Sequence, residues 1–193
     1  MDMKRSVVFL FLSGLLVAGG FSASAQVVPA AAGRQFSVTA GGMFSGFQPD
    51  YAGGGVPDTA PNRLYGVGTY VDVKFTRWFQ IEAEGRWLRL KQFDNINETN
   101  YLIGPRLPIQ KLHFWRATPY AKVLIGLGDM NFEFNEATGR FTDIAYGGGL
   151  DWKLNRRISV RAIDFEYQQW PKWINNDQLK PYGASVGVAY RIF

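Results

Sequence analysis

The last thirteen residues, Pro181–Phe193, alternate between apolar side chains and small or polar ones. The apolar side chains occupy the even positions Tyr182, Ala184, Val186, Val188, Tyr190 and Ile192. The odd positions between them carry Gly183, Ser185, Gly187, Ala189 and Arg191. A period of two over this length predicts a β-strand with one apolar face. Phe193 follows Ile192 directly, so it is out of phase with that face and is interpreted as a strand-end residue.

The first 25 residues have the three parts of a secretory signal peptide. Lys4–Arg5 forms a positive start, residues 7–21 form an apolar run, and Ala23–Ala25 is a small-x-small cleavage site. The apolar run is shorter than the ~20 residues that a membrane-spanning helix needs. We therefore predict a signal peptide over residues 1–25, with residues 26–193 as the exported domain.

Composition limits what this domain can be. The chain has no cysteine, which excludes disulfides, thiolate metal sites and a cysteine nucleophile. Its net charge of +5 is dispersed along the sequence, so nothing indicates a nucleic-acid partner. No long apolar helix follows the signal segment, although 47% of the residues are hydrophobic. A chain that spans a membrane without such helices must form a closed β-barrel.

Seven further segments alternate in the same way, which gives eight candidate strands. They cover about residues 35–47, 64–75, 79–91, 101–109, 119–128, 142–154, 157–167 and 181–193. Long connections follow strands 1, 3, 5 and 7, whereas strands 2 and 6 are followed by short turns. Outer-membrane barrels place short turns in the periplasm. The sequence therefore predicts an all-β, eight-stranded, antiparallel up-and-down transmembrane β-barrel with both termini in the periplasm and four connections outside.

Two of these strands fit the pattern poorly. Strand 4 contains Pro105 and Pro108, each of which lacks a backbone donor, so a bulge or a short strand is expected. In strand 7 the alternation would turn Asp164 outward after Ala162. Either the strand leaves the membrane before Asp164, or a β-bulge shifts its phase.

The inward-facing positions are rich in charges of both signs. They carry Asp72, Lys74, Glu82, Glu84, Arg86, Arg106, Lys122, Asp143, Asp151, Lys153, Arg161 and Arg191. An eight-stranded barrel has an interior that side chains fill, and buried charges must be paired. The candidate ion-pair network is Lys74, Glu82, Glu84, Arg86 and Arg161. This network could act as an ion gate, or it could simply fill the lumen without moving. Filling is favoured because side chains normally fill the interior of an eight-stranded barrel.

Several segments resemble the small bacterial outer-membrane β-barrel family that includes the OmpA transmembrane domain and OmpX. The resemblance rests on residues 147–154, 158–162 and 187–191 for the last three strands, and on residues 104–106 and 118–126 for the middle ones. It implies a location in the outer membrane of a Gram-negative-type cell. It also implies outer-membrane lipid and, during insertion, the barrel-assembly machinery as partners. The interior Arg/Glu pairing of such barrels is what suggests the gate.

Few residues favour an enzyme. His113 is the only histidine, and it lies in a connection that we place in the periplasm. Some barrels of this size modify lipid A with a Ser/His pair, but their substrate lies in the opposite leaflet. One histidine without convergent partners is a weak signal. We therefore predict no catalytic residues, no metal and no cofactor.

Trp170 and Trp173 lie in the last outer connection and are candidate contacts for a partner or a surface polysaccharide, or else pack on the rim. The predicted role is structural or surface-interacting through the extracellular connections, with no surface partner identified. One alternative is a narrow channel for ions or small solutes. A secreted soluble barrel that binds an apolar ligand is a second alternative, but the charged inward face argues against it.

Overall fold

The computed structural model describes residues 36–49, 63–90, 97–112, 115–131, 138–171 and 178–193. The predicted signal peptide, His113 and Trp173 lie outside these residues. The described strands are β1 Ser37–Gln48, β2 Leu64–Lys74, β3 Gln80–Leu90, β4 Asn97–Pro108, β5 Ala117–Asn131, β6 Thr138–Lys153, β7 Ile158–Gln169 and β8 Tyr182–Arg191. One 3₁₀ turn, Gln110–Leu112, follows β4. Among the described residues no helix is long and apolar enough to cross a membrane.

The eight strands form one closed antiparallel barrel in sequence order. The last strand pairs with the first, from Thr39↔Arg191 to Gln48↔Tyr182, so no sheet edge is left open. Closure gives every strand two hydrogen-bonding neighbours, which is what a bilayer demands of a β-structure. The predicted fold class is therefore confirmed.

The predicted faces also hold along the barrel. On β2, Val67 and Val71 point outward and are exposed, whereas Tyr70 and Asp72, on either side of Val71, are buried in the lumen. On β8 the outward side chains are those of the even-numbered positions, with Ile192 continuing the face beyond the strand. The outer surface is thus apolar and the inner surface is charged, as in a membrane barrel and opposite to a soluble one.

A charge placed on this outer face should destabilise the barrel. Val123 points outward from the middle of β5 and is exposed. We expect Val123→Arg to lower the free energy of unfolding in lipid vesicles by about 2–4 kcal/mol, because the guanidinium meets hydrocarbon. Asn131→Arg, at the exposed end of the same strand, is the matched control and should cost at most about 1 kcal/mol. Equal costs at the two positions, measured by urea titration, would contradict the assigned lipid face.

Strand 4 is neither bulged nor short, so that expectation was wrong. β4 runs for twelve residues through both prolines, and its pairing with β3 shows no register shift. Pairing with β5 is interrupted opposite Gly104 and Pro105 and resumes at Arg106↔Lys122 in the same register. The backbone N–H that Pro105 lacks is therefore accommodated by a local gap in the β4–β5 pairing.

Strand 7 does contain a β-bulge, the second of the two outcomes expected there. Its register shifts against β6 between Leu150 and Asp151, and against β8 between Arg161 and Asp164. Because Ala162 is an extra residue in the ladder, Ala162 and the next residue, Ile163, both point outward. Asp164 is consequently turned into the lumen, where it is 1% exposed.

Three strands are longer than their sequence pattern indicated. β4 begins at Asn97, β5 ends at Asn131 and β6 begins at Thr138. The connections 91–96 and 132–137 are accordingly shorter than expected. A tilted strand needs only ~9–11 residues to cross the membrane. β5 and β6, with 15 and 16 residues, therefore continue beyond the bilayer at the end opposite the short turns.

Candidate functional site

Ten charged side chains form one ion-paired network across the lumen. They come from six neighbouring strands, β2 to β7, each of which directs alternate residues inward. The members are Asp72, Glu82, Glu84, Arg86, Arg106, Lys122, Asp151, Arg161, Asp164 and Glu166. Apart from Asp151, at 24%, the side chains are at most 8% exposed. We call this set the lumen network.

Lys122 lies at the centre of the lumen network. Its Nζ is 2.7 Å from an oxygen of Asp164 and 3.0 Å from oxygens of Glu82, Glu84 and Glu166. Three of these carboxylates, those of Glu82, Glu84 and Asp164, converge closely enough to hold a metal ion. The ammonium group already supplies the cation there, because each of the three contacts it directly. This arrangement therefore fits a protein-internal ion cluster and not a metal centre.

Arg161 links the acids around Lys122 to Asp72, which lies nearer the short turns. Its guanidinium donates to Glu82 at 2.6 Å and to Asp164 at 3.1 Å, and it reaches Asp72 at 3.4 Å. The same group lies over the ring of Tyr70, 3.6 Å from its centroid. A desolvated guanidinium gains from both kinds of contact. Arg161 is thus held from its edge by carboxylates and on its face by an aromatic ring.

Arg106 occupies the part of the lumen nearest the short turns. It donates to Asp72 at 3.1 Å, to Asp151 at 2.5 Å and to Gln80 at 2.8 Å. Its guanidinium lies 3.7 Å from the centroid of the Tyr120 ring. Guanidinium groups lie against aromatic rings in this half of the barrel, so side chains fill the lumen there.

Arg86 lies on the opposite side of Lys122, toward the long connections. It donates to Glu84 at 2.7 Å and to Glu166 at 2.8 Å, and it stacks over Phe47 at 4.3 Å. Beyond it, Asn100 continues the polar contacts, donating to Asp143 at 2.9 Å and to Gln168 at 3.0 Å.

Trp170 closes this part of the lumen. Its indole N–H donates to Gln168 at 3.1 Å, and its ring stacks on Phe141 with centroids 5.9 Å apart. Met130 and Leu179 complete an apolar cluster around it. Trp170 is 0% exposed. The structure therefore places it in internal packing and not on an exposed loop surface, because an isolated bridge to Leu179 continues the β7–β8 hairpin past the strand ends.

Four of the five residues predicted for the ion-pair network lie together in it: Glu82, Glu84, Arg86 and Arg161. Lys74 does not. It faces inward as predicted, but it lies near the short turns and forms no salt bridge with any described residue. Phase along a strand predicts which way a side chain points, whereas depth along the barrel axis depends on strand register.

Sequence reasoning missed the two acids that the bulge turns inward. Asp164 and Glu166 supply four of the salt bridges to Arg86, Lys122 and Arg161. The signal for them was present, since apolar Ala162 and Ile163 stand side by side and alternation resumes afterwards on the opposite phase. Asn100 was missed because the strand was expected to begin one residue later.

The family of outer membrane protein β-barrel domains matches residues 13–191, which is most of the chain. This chain belongs to that family. The match places the barrel in the bacterial outer membrane, with lipid against its apolar face. No curated protein matches the sequence.

Solved structures show the same fold at low sequence identity. Neisserial surface protein A (NspA) is 10% identical, with a TM-score of 0.54 over 81% of this chain and 96% of that one. The outer membrane protein OprG of Pseudomonas aeruginosa is 12% identical, with a TM-score of 0.53 over 81% and 96%. The N-terminal β-barrel domain of Pseudomonas aeruginosa OprF is 14% identical, with a TM-score of 0.50 over 82% and 100%.

Proposed function

We propose that this outer-membrane barrel is non-conducting and that its role, structural or surface-interacting, is exerted through its extracellular connections. The observation that carries the proposal is the filled lumen. Acidic and basic side chains from six strands meet across the lumen, and three of the four bases also stack on aromatic rings. A solute that crosses the barrel would have to displace several of these contacts.

The energetics favour a static filling. Separating one partner from a buried ion pair costs about 3–5 kcal/mol, because the charge left behind is uncompensated. Lys122 contacts four carboxylates, so its displacement would leave all four short of a counter-ion. Arg86 and Arg161 already contact the same four acids from their own positions, so neither is free to replace the ammonium group. A narrow channel for ions or small solutes remains the alternative function, and it requires this arrangement to open.

The extended strands support a role at the cell surface. β5 and β6 continue past the bilayer, and their outward side chains change from apolar to polar there, as with Asn131 and Arg140. Arg140 lies 4.0 Å from Asp129 across the two strands, on a solvent-exposed face. The ends of β5 and β6 thus present a water-facing surface beside the connections.

Other expected properties belong to the same proposal. We infer that the protein is not an enzyme and uses no cofactor, since the charged groups of the lumen network are held in ion pairs and largely away from solvent. We further propose the barrel-assembly machinery as its partner during insertion and no nucleic-acid partner. The surface partner is not identified by any of these features.

The proposed role of the extracellular connections is tested by measuring barrel folding and cell-surface binding on one set of variants. Residues 50–62 and 172–177 are each replaced by a short Gly/Ser turn, and the matched control replaces the short turn at 76–78. We expect the outer replacements to leave a heat-modifiable folded barrel but to abolish any surface binding that expressing cells gain over cells without the protein. Loss of that binding only with the short-turn control would contradict the proposed outer role.

The channel alternative is tested on the same purified protein. We expect planar bilayers containing the wild-type barrel to show no steady single-channel openings. Regular openings that scale with salt concentration would instead support the channel function.

A further inference from the structure

The lumen opens at the short-turn end into a cavity of about 80 Å³. We call it the periplasmic vestibule, since short turns of outer-membrane barrels face the periplasm. Its walls include Lys74, Arg106, Tyr120, Lys153 and Arg191, and the 155–157 turn borders it. By the same measure a single water needs about 10–15 Å³, so the cavity has room for a small polyatomic ion.

The charge of this vestibule is strongly unbalanced. Its lining contains six basic residues and two acidic ones, Asp72 and Asp151. Both acids already pair with Arg106. Within the described part of the chain, Lys74, Lys153 and Arg191 have no acidic partner. The vestibule therefore carries an excess of positive charge, in contrast to the lumen network directly above it, whose ten members are six acids and four bases.

These cations also act on one another. Lys74 is half-buried and experiences the like charges of Lys153 and Arg191. Like charges held close together at a partly dehydrated site raise the free energy of the empty vestibule. An anion bound among them would offset that repulsion. The three cations are already positioned by the ends of β2, β6 and β8.

Neutral donors face the same space. Tyr120 is 3% exposed and lines the vestibule, and its hydroxyl has no hydrogen-bond partner among the described residues. The hydroxyl of Thr118, on the same strand, is also buried without such a partner. Buried hydroxyls normally find a partner, so these two point to a missing acceptor. Oxyanion oxygens accept hydrogen bonds from ammonium, guanidinium and hydroxyl groups alike.

We propose that the periplasmic vestibule binds a phosphate-type oxyanion, held by Lys74, Lys153 and Arg191 and by the hydroxyl of Tyr120. The concave shape selects a compact anion over an extended acidic polypeptide. The phosphate can be free inorganic phosphate or the headgroup phosphate of a phospholipid in the inner leaflet, because the recognising groups are the same. This site lies at the opposite end from the proposed surface role and does not depend on it.

The test uses the complete barrel in a maltoside detergent, which contains no phosphate. Inorganic phosphate and short-chain phosphatidylglycerol are titrated separately by calorimetry at constant chloride. We expect saturable binding of at least one of them. Lys74→Gln combined with Lys153→Gln should weaken that binding at least about tenfold, since two charged contacts are lost.

Arg89→Gln combined with Lys180→Gln is the matched control. It removes the same charge from exposed positions away from the vestibule and should change binding by less than about twofold. Heat-modifiable migration shows that both double variants are folded. Phosphate binding lost only in the vestibule variant assigns the free ion, and lipid binding lost in the same way assigns the headgroup. No binding of either probe, or equal weakening in both variants, would overturn the proposal.

Discussion

Combined deletion of Ala162 and Ile163 is expected to abolish assembly of the folded barrel. The bulge formed by these two residues is what lets Arg161 and Asp164 both face the lumen. With both removed, Asp164 follows Arg161 directly, and alternation turns Asp164 and Glu166 onto the lipid face. Carboxylates would then meet hydrocarbon, and Lys122 would lose two of its four counter-ions. Each of these changes costs several kcal/mol, which rivals the whole stability of a small domain.

The measurement for this deletion is heat-modifiable migration after refolding into lipid vesicles. Deletion of Gly53 and Gly54, in the connection between β1 and β2, is the control, because a connection of that length tolerates loss of two residues. We expect a folded band from the control and none from the combined deletion of Ala162 and Ile163. A normal folded band from both would mean that the phase set by the bulge does not determine which side chains enter the lumen.

Lys122→Met should be the most destabilising single substitution in the lumen. Methionine matches the length of the lysine stem but leaves Glu82, Glu84, Asp164 and Glu166 around an uncharged group. Removing one partner from a buried ion cluster costs about 3–5 kcal/mol. We expect the free energy of unfolding, measured by urea titration in vesicles, to fall by about that amount.

A second variant separates lost charge balance from lost packing. Adding Glu84→Gln to Lys122→Met removes one of the uncompensated carboxylates and should restore part of the stability. Lys180→Met, at an exposed position, is the matched control and should change stability by less than about 0.5 kcal/mol. If Lys122→Met behaved like Lys180→Met, the lumen network would contribute little to the stability of the barrel.

The membrane-crossing parts of the fold were predictable because lipid imposes a simple rule on them. Outward side chains within the bilayer are mostly apolar, so β2 and β8 show their phase in the sequence itself. The extensions of β4, β5 and β6 lie where water wets the outer face. Residues such as Asn97, Asn131 and Arg140 therefore carry no alternating signal, and the sequence pattern ended too early.

The lumen network was predictable only in part, for two physical reasons. Alternation indicates the direction of a side chain, but it does not indicate depth, so Lys74 was grouped with residues that lie deeper. A bulge reverses phase partway along a strand, so Asp164 and Glu166 were assigned to no site at all. Trp170 shows a third limit, since a tryptophan after a strand can pack inward or project outward, and only the bridge to Leu179 decides between them.

Lipid exposure along β7 tests the central claim, that a bulge turns acids inward to complete a filled lumen. The chain lacks cysteine, so spin labels can be placed at single cysteines without further changes. Val160, Ala162, Phe165 and Tyr167 are the sites, because none of them belongs to the lumen network. Collision of each label with oxygen dissolved in the bilayer is then measured. We expect high oxygen accessibility at all four positions, with the outward positions changing from even to odd numbers after Ala162. High accessibility at 160 and 162 but low accessibility at 165 and 167 would contradict it.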